Sequence, residues 1–152
     1  MKPISIKVIG IPAPQGSKRH VGNGIMVESS TKVPLWRKDI LHASLETYHG
    51  KLIDTPCRVE INFFIPRPLS HFRTGKFSNL LKPSAPQFCI SRITGDIDKL
   101  VRSTLDGLSA TTGGTVLKDD SLVISLSAQK RYAEKNQSTG ANIIILPYPL
   151  TS

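Results

Sequence analysis

Aspartates concentrate in one stretch of this sequence, at spacings that suit a metal site. Five of the eleven acidic residues lie between residues 96 and 120, where Asp96 and Asp98 stand one residue apart and Asp119 and Asp120 are adjacent. Carboxylates are the oxygen ligands that hold Mg²⁺, typically one or two for each ion. A divalent cation supports phosphodiester hydrolysis by offsetting phosphate charge and activating a water. The pattern predicts that three or four of these aspartates hold one or two magnesium ions.

Each of these acids also has a purely structural explanation. Asp96 precedes a helical pattern and would stabilise the helix dipole by about 0.3–1 kcal/mol, and Asp119 and Asp120 fit an ordinary turn. Arg102 lies one helical turn after Asp98. It either forms an ion pair with Asp98, worth about 0.2–0.5 kcal/mol, or stabilises charge in a phosphoryl transition state. Asp106, one turn further, is either another metal ligand or the partner of Arg102.

The overall charge favours a polyanionic partner. The chain has 20 Lys and Arg against 11 Asp and Glu, a net charge of +9, and its pI is about 9.8. Nucleic acid is the polyanion that such a surface most often meets. Because the acids are concentrated between residues 96 and 120, the rest of the chain is more basic still.

Other residue types exclude several classes. Cys57 and Cys89 lack metal-ligand spacing and are predicted to be free thiols, and the four histidines are scattered, so zinc is disfavoured. The longest apolar runs are far too short to cross a membrane. The N-terminus lacks the apolar core of a signal peptide, which predicts a cytoplasmic protein. A length of 152 residues predicts one domain covering 1–152.

The hydrophobic periodicity predicts a mixed α+β fold in the order β-β-α-β-α-β-β, with a mixed sheet and two main helices. Alternation is clearest at 57–65, and at 122–132 it places Leu122, Ile124, Leu126 and Ala128 on one face. The predicted strands cover 4–11, 25–27, 57–65, 122–132 and 141–147, with a further short extended stretch at 115–118, and the predicted helices cover 34–49 and 96–108.

Residues 66–95 have four prolines, five basic residues, no acid and no clear period. A connection of this length in a small domain is usually functional or disordered. It is predicted to be either a basic arm that grips phosphates or a merely solvated insertion. Phe72 within it, and Trp36 in the first helix, have side chains that stack on unpaired bases, although Trp36 in an amphipathic helix is more often part of the core.

Three motifs together resemble the RusA family of Holliday junction resolvases. They are Pro-Ala-Pro-Gln-Gly-Ser-Lys-Arg at 12–19, Gly-Asp-Ile-Asp-Lys-Leu at 95–100 followed by Leu-Asp-Gly-Leu at 105–108, and Asp-Asp-Ser-Leu-Val at 119–123. The resemblance covers about residues 5 to 147 and implies a homodimer that binds four-way DNA junctions. It also implies paired symmetric nicks made with Mg²⁺ or Mn²⁺, and it places the essential aspartates at Asp96, Asp98 and Asp120, with Asp106 as a further acid.

The sequence departs from the family pattern at two positions. Lys99 stands where the family commonly has Asn, and Arg102 stands where it commonly has a catalytic Lys. Arginine stays charged but does not donate a proton at neutral pH, so the expected role at this position is to offset developing charge, which either Arg102 or Lys99 would do. The residues predicted to contact phosphates are Lys18, Arg19, Arg73, Lys76, Lys82 and Lys99.

The sequence thus predicts a magnesium-dependent, structure-selective DNA endonuclease of recombination and repair. Two alternatives stay open. One is a non-catalytic DNA-binding protein derived from a resolvase, and the other is a metal-dependent nuclease for RNA or flap substrates.

Overall fold

A computed structural model describes residues 2–16, 18–20, 26–28 and 31–148, with backbone alone at 18–20 and 26–28. The strands are β1 (Ile4–Ile9), β2 (Lys18–His20), β3 (Met26–Glu28), β4 (Cys57–Ile65), β5 (Val123–Tyr132) and β6 (Gly140–Pro147), and the helices are α1 (Lys32–Thr47) and α2 (Ile97–Leu108).

Four strands form a mixed sheet in the order β1-β6-β4-β5. β6 pairs antiparallel with both β1 and β4, whereas β4 and β5 are parallel. The parallel pair needs a crossover, and that connection contains α2. The predicted α+β class, with two main helices and a mixed sheet, is confirmed.

One face of the sheet carries the core. Alternate residues of β4 are buried, as its sequence pattern predicts, and the bounds predicted for this strand agree with the structure. β1 and β6 contribute the same face through Ile6, Val8, Ile143 and Ile145, all buried.

The two helices pack against each other over this sheet. Trp36 of α1 is fully buried, and its indole Nε1 donates to Thr104 Oγ1 of α2 at 3.1 Å, so it belongs to the core. Gly107 permits the close approach, because a Cβ there would lie 2.9 Å from Ile40 Cδ1. α1 is therefore held near the C-terminal half of α2.

Several details differ from the sequence predictions or add to them. The stretch 115–118 is not a strand, and its Leu117 forms only isolated bridges with Ile53 and Ser109. The region of the second predicted strand forms a separate two-stranded sheet, β2 with β3. α2 begins at Ile97, with Asp96 at its N-cap. Ile124 and Leu126 are 56% and 46% exposed, because β5 is an edge strand that the helices leave partly uncovered.

The segment 66–95 lacks strands but contains three short 3₁₀ turns. Its first half folds back on itself through an antiparallel bridge between Phe72 and Leu81. The backbone N–H of Arg73 donates to Leu80 O and that of Lys82 to His71 O, both at 2.8 Å. Within the described residues, no helix has the length and apolar character needed to cross a membrane.

Candidate functional site

The N-terminus of α2 presents two carboxylates to solvent. Asp96 has the extended backbone of an N-cap, yet its side chain makes no capping hydrogen bond. Asp98 follows in the first turn, and both residues are exposed. Within the described part of the chain neither forms an ion pair. Capping therefore does not account for the Asp96 side chain.

This helix end is fixed by contacts from two directions. Gln15 N donates to Lys99 O at 3.1 Å, and Lys130 Nζ of β5 donates to Gly95 O at 2.8 Å. Gly95 has a φ of 86°, and a Cβ there would lie 2.5 Å from Pro14 Cγ, so only glycine lets the 12–16 loop pass so closely. The loop thereby sets the position of the backbone just before Asp96.

A small cavity of about 300 Å³ opens beside Asp96. Lys99 and Arg92 line it together with Pro14, Gly16 and Gly95. The two cationic side chains lie next to the exposed carboxylate of Asp96. A metal ion bound to this carboxylate could therefore also bind an anion that the two cations attract.

Asp119 and Asp120, just before β5, have opposite electrostatic surroundings. The backbone N–H of Ser121 donates to Asp119 Oδ1 at 2.9 Å, and this hydrogen bond lowers the pKa of Asp119. Desolvation raises the pKa of Asp120, and a hydrogen bond with Asp119 and the negative charges of Asp106 and Asp119 raise it further. The charged form of Asp120 is thus disfavoured in the fold, whereas that of Asp119 is favoured.

Asp106 is tied to the first helix. Arg37 Nη2 lies 2.7 Å from Asp106 Oδ2, with side-chain exposures of 32% and 15%. The same nitrogen donates to Gln15 Oε1 at 3.1 Å, and Gln15 is only 6% exposed. Arg37 therefore joins α1, the N-terminal loop and the acid-bearing helix.

The sequence prediction for Arg102 is only partly resolved by these contacts. Arg102 is exposed, and within residues 31–148 it pairs with neither Asp98 nor Asp106. The partner of Asp106 is Arg37 instead. The side chain of Arg102 is thus uncommitted, and its role in offsetting phosphate charge stays a prediction.

Arg37 and Arg92 were missed by the sequence reasoning, and Gln15 was recognised only as part of a motif. No spacing rule connects Arg37 with Asp106, because the two are 69 positions apart. Arg92 was noted only as one of the basic residues of 66–95. Its place beside Asp96 follows from the 3₁₀ turn Arg92–Thr94, which ends at Gly95.

Carboxylates are suitable ligands for a hard divalent cation, but the described acids do not form a preformed metal site. In the described part of the chain, no three His, Cys, Asp or Glu side chains lie close enough together to hold a metal ion. Magnesium needs only one or two protein carboxylates, because it keeps several waters. Desolvation is the main cause of the raised pKa of Asp120, and the charges of Asp106 and Asp119 add to it; a bound cation would offset these charges.

The basic residues predicted to contact phosphates are spread over several surfaces. Arg73, Lys76 and Lys82 are exposed on the 66–95 segment, where Arg73 Nε donates to Leu81 O at 3.2 Å. Lys76 Nζ lies 5.8 Å from the ring centroid of Phe77. Lys99 is half-buried beside Asp96. The side chains of Lys18 and Arg19 lie outside the described residues.

Comparison with protein families agrees with the motifs. The family described as Endodeoxyribonuclease RusA matches residues 10–144. The chain belongs to the RusA endodeoxyribonuclease family. No curated protein matches the chain. The RusA match covers the loop at 12–16, α2, Asp119 and Asp120, and so includes every acid discussed above.

Proposed function

We propose that this RusA-family chain is a magnesium-dependent DNA endonuclease that resolves four-way junctions by paired symmetric nicks. The observation that carries the proposal is the accumulation of carboxylates along α2 and at the start of β5 in a chain of charge +9. A basic protein attracts DNA, and uncompensated acids in its binding surface would repel it. A divalent cation between acids and phosphate removes that conflict.

The proposed ligands are Asp96, Asp98 and Asp120, with Asp106 as a further acid. Mg²⁺, or Mn²⁺ in its place, would supply Lewis-acid stabilisation of the scissile phosphate and a nucleophilic water. Asp98 and Asp120 are the strongest candidates on physical grounds. Asp98 is exposed and forms no ion pair with the other described residues, and the pKa of Asp120 is raised first by desolvation and then by its hydrogen bond with Asp119 and the charges of nearby acids.

The cationic residues have a separate task. Lys99 and Arg92 line the cavity beside Asp96, where they would orient a phosphate by charge-assisted hydrogen bonds. Arg102, one turn after Asp98, would offset charge that develops during cleavage. Because arginine keeps its proton at neutral pH, the proton for the leaving oxygen would come from water.

DNA positioning would rest on the surrounding basic surface. The proposed phosphate contacts do not read bases, and they make binding fall steeply with salt. We further propose that residues 1–152 form one cytoplasmic endonuclease domain, with 66–95 as an insertion, and that two copies assemble as a homodimer. Two active sites related by symmetry would explain paired nicks. The proposed contacts are Lys18, Arg19, Arg73, Lys76, Lys82 and Lys99.

A cleavage assay on synthetic DNA tests this function. The purified chain is incubated with a labelled four-way junction, with and without Mg²⁺, beside a duplex, a flap and an RNA hairpin of matched length. We expect magnesium-dependent nicks in two opposing strands of the junction and little cleavage of the duplex. Preferential cleavage of the flap or the RNA would transfer the proposal to that substrate.

Two observations favour a second candidate, a non-catalytic DNA-binding protein. Asp106 is already neutralised by Arg37 at 2.7 Å, and no three-donor group is assembled among the described residues. The same assay separates the two functions. A binder would retard the junction in a gel and leave every strand intact with Mg²⁺ or Mn²⁺.

A further inference from the structure

A cavity in the described part of the chain lies away from the acids. Its volume is about 660 Å³, and it opens between residues 66–81 and the connection from β5 to β6. Cavities that bind small organic groups span roughly 300–1,000 Å³. The volume is therefore ample for a nucleotide, and the site described above uses none of this cavity.

The floor of the cavity is rigid. Tyr132, at the end of β5, is 5% exposed, and the Arg67 guanidinium stacks over its ring at 4.3 Å from the centroid. Arg67 Nη1 also donates to Pro86 O at 2.7 Å. His71 meets the Tyr132 ring edge-on, with centroids 5.5 Å apart. These contacts hold the floor in place before any ligand arrives.

The opposite wall is apolar and partly exposed. Phe72, Leu80 and Leu81 line the cavity, and the bridge between Phe72 and Leu81 keeps them together. Leu80 and Leu81 remain 44% and 41% exposed. A surface of this kind gains free energy when a flat apolar group covers it.

Polar groups at the rim define the ligand further. Asn79 and Gln137 provide amide groups, and Lys135 provides a positive charge beside the carboxylate of Glu134. Of the five basic residues of 66–95, Arg67 lines the cavity. The matching ligand has a flat apolar face, a hydrogen-bonding edge and an attached negative charge, which together describe a nucleotide.

We propose that this cavity binds one unpaired nucleotide of a DNA strand, with its base against Phe72 and its phosphate near Lys135. The inference rests on the proposed function, because it assumes a DNA substrate. Paired bases are stacked inside a duplex, so the cavity selects DNA that exposes an unpaired base.

The position of the cavity supports this role. Lys130 and Tyr132 are two residues apart on β5 and so point to the same face of the sheet, about 7 Å apart along the strand. Lys130 Nζ reaches Gly95 O at 2.8 Å, directly before Asp96. Neighbouring residues of β5 thus form the cavity floor and hold the backbone before Asp96, so that a single DNA strand would contact both sites.

Binding without divalent metal tests the proposal apart from cleavage. The full chain is titrated in EDTA with two fluorescent single strands of about 12 nucleotides, one with every base and one in which several bases are replaced by abasic residues. Wild type should bind the base-bearing strand at least about fivefold more tightly, which is the lower range for one stacked base. Phe72→Ala should remove this difference and leave the affinity for the abasic strand unchanged.

Two further variants complete the test. Phe77→Ala is the matched control, because Phe77 lies on the same segment, is 53% exposed and does not line the cavity. Leu80→Trp fills the cavity while leaving Phe72 in place, and it should also lose the preference for bases. Equal binding of the two strands by wild type, or a retained preference in either folded cavity variant, would overturn the proposal.

The outcome is independent of the cleavage assay. If Phe72→Ala abolishes the base preference and the chain cuts no junction, the proposed nucleotide site is supported and the proposed endonuclease activity is contradicted. If the chain cuts the junction and Phe72→Ala keeps the base preference, the endonuclease activity is supported and the nucleotide site is contradicted. If Phe72→Ala alters only the oligomeric state measured by light scattering, the cavity contacts protein and not DNA, and the proposal fails.

Discussion

The two ends of α2 carry the same residue type in opposite states. At the N-terminal end Asp96 and Asp98 are exposed, and within the described residues they form no ion pair. Two turns further, Asp106 is bound to Arg37 at 2.7 Å, and its side chain is 15% exposed. The exposed acids can accept a ligand from solution, whereas Asp106 already has its counter-charge.

Packing explains the difference. α1 approaches α2 most closely at Gly107, beside Ile40, and that approach places Arg37 against Asp106. The N-terminus of α2 extends beyond this contact to the loop 12–16 and to Lys130. The comparison shows that Asp106 already has a cationic partner within the fold, and it favours Asp98 over Asp106 as a ligand in the proposed metal site.

The largest effect expected is from Asp98→Asn. Replacing the carboxylate by an amide removes metal-binding charge and spares the basic surface. We expect junction cleavage to fall at least about a hundredfold, since metal assistance contributes several kcal/mol, while junction affinity in EDTA changes by less than a few fold. Cleavage rates and gel retardation measure the two quantities.

Asp54→Asn is the matched control, since Asp54 is also an exposed acid and lies outside α2 and the 119–120 pair. It should cleave at the wild-type rate. Activity that survives Asp98→Asn would remove Asp98 from the mechanism and with it the contrast between the helix ends.

Arg37→Ala should have the next largest effect, on stability. It leaves the Asp106 carboxylate partly buried without its cation and Gln15 without its donor. Hydrogen bonds to charged groups are worth about 1.5–3 kcal/mol, and partial exposure reduces this, so we expect a loss of about 1–2 kcal/mol in the free energy of unfolding. Urea denaturation measures it.

The neighbouring Lys38→Ala is the control, because Lys38 is exposed on the same helix. Its effect should stay within about 0.5 kcal/mol, as for most surface substitutions. A similar result for Arg37→Ala would show that the Arg37 ion pair does not hold the two helices.

Asp120→Asn should have the smallest effect, a slight gain in metal-free stability at neutral pH. The folded state raises the pKa of Asp120, so folding disfavours its carboxylate, and the amide removes that cost. As the pH falls through the raised pKa, wild-type Asp120 takes up a proton and the gain should disappear. Thermal melts in EDTA across a pH series measure it.

Asp119→Asn should change the stability in the opposite direction. Because the pKa of Asp119 is lowered, its carboxylate stabilises the fold above its ordinary pKa, and that contribution is lost as the pH falls. This variant should therefore be less stable than wild type at neutral pH. A gain from Asp119→Asn and a loss from Asp120→Asn would contradict the electrostatic assignment.

Much of the fold could be predicted from the sequence because its signals are local. The alternation of 57–65 gives β4 its bounds, and the apolar spacing of α2 indicates its buried face. The exposure of Ile124 and Leu126 could not be predicted, because an edge strand and a central strand share the same alternation. Pairing partners in the sheet decide which one is covered.

The candidate site, too, could be predicted only in part from the sequence. The positions of Asp96, Asp98, Asp119 and Asp120 are visible as motifs, and family membership over residues 10–144 supports their selection. The environment of each acid is not visible. An N-cap hydrogen bond is absent at Asp96, whereas Asp119 does accept one from Ser121 N.

By itself the sequence determined the element types, the family, the excess of positive charge and the concentration of acids, since periodicity, motif and composition are properties of neighbouring residues. The tertiary structure alone decided that Arg37 neutralises Asp106, that Lys130 reaches Gly95, and that Phe72 and Tyr132 line one cavity. Such contacts join residues far apart in the chain, and they form only when the helices and strands pack around a common core.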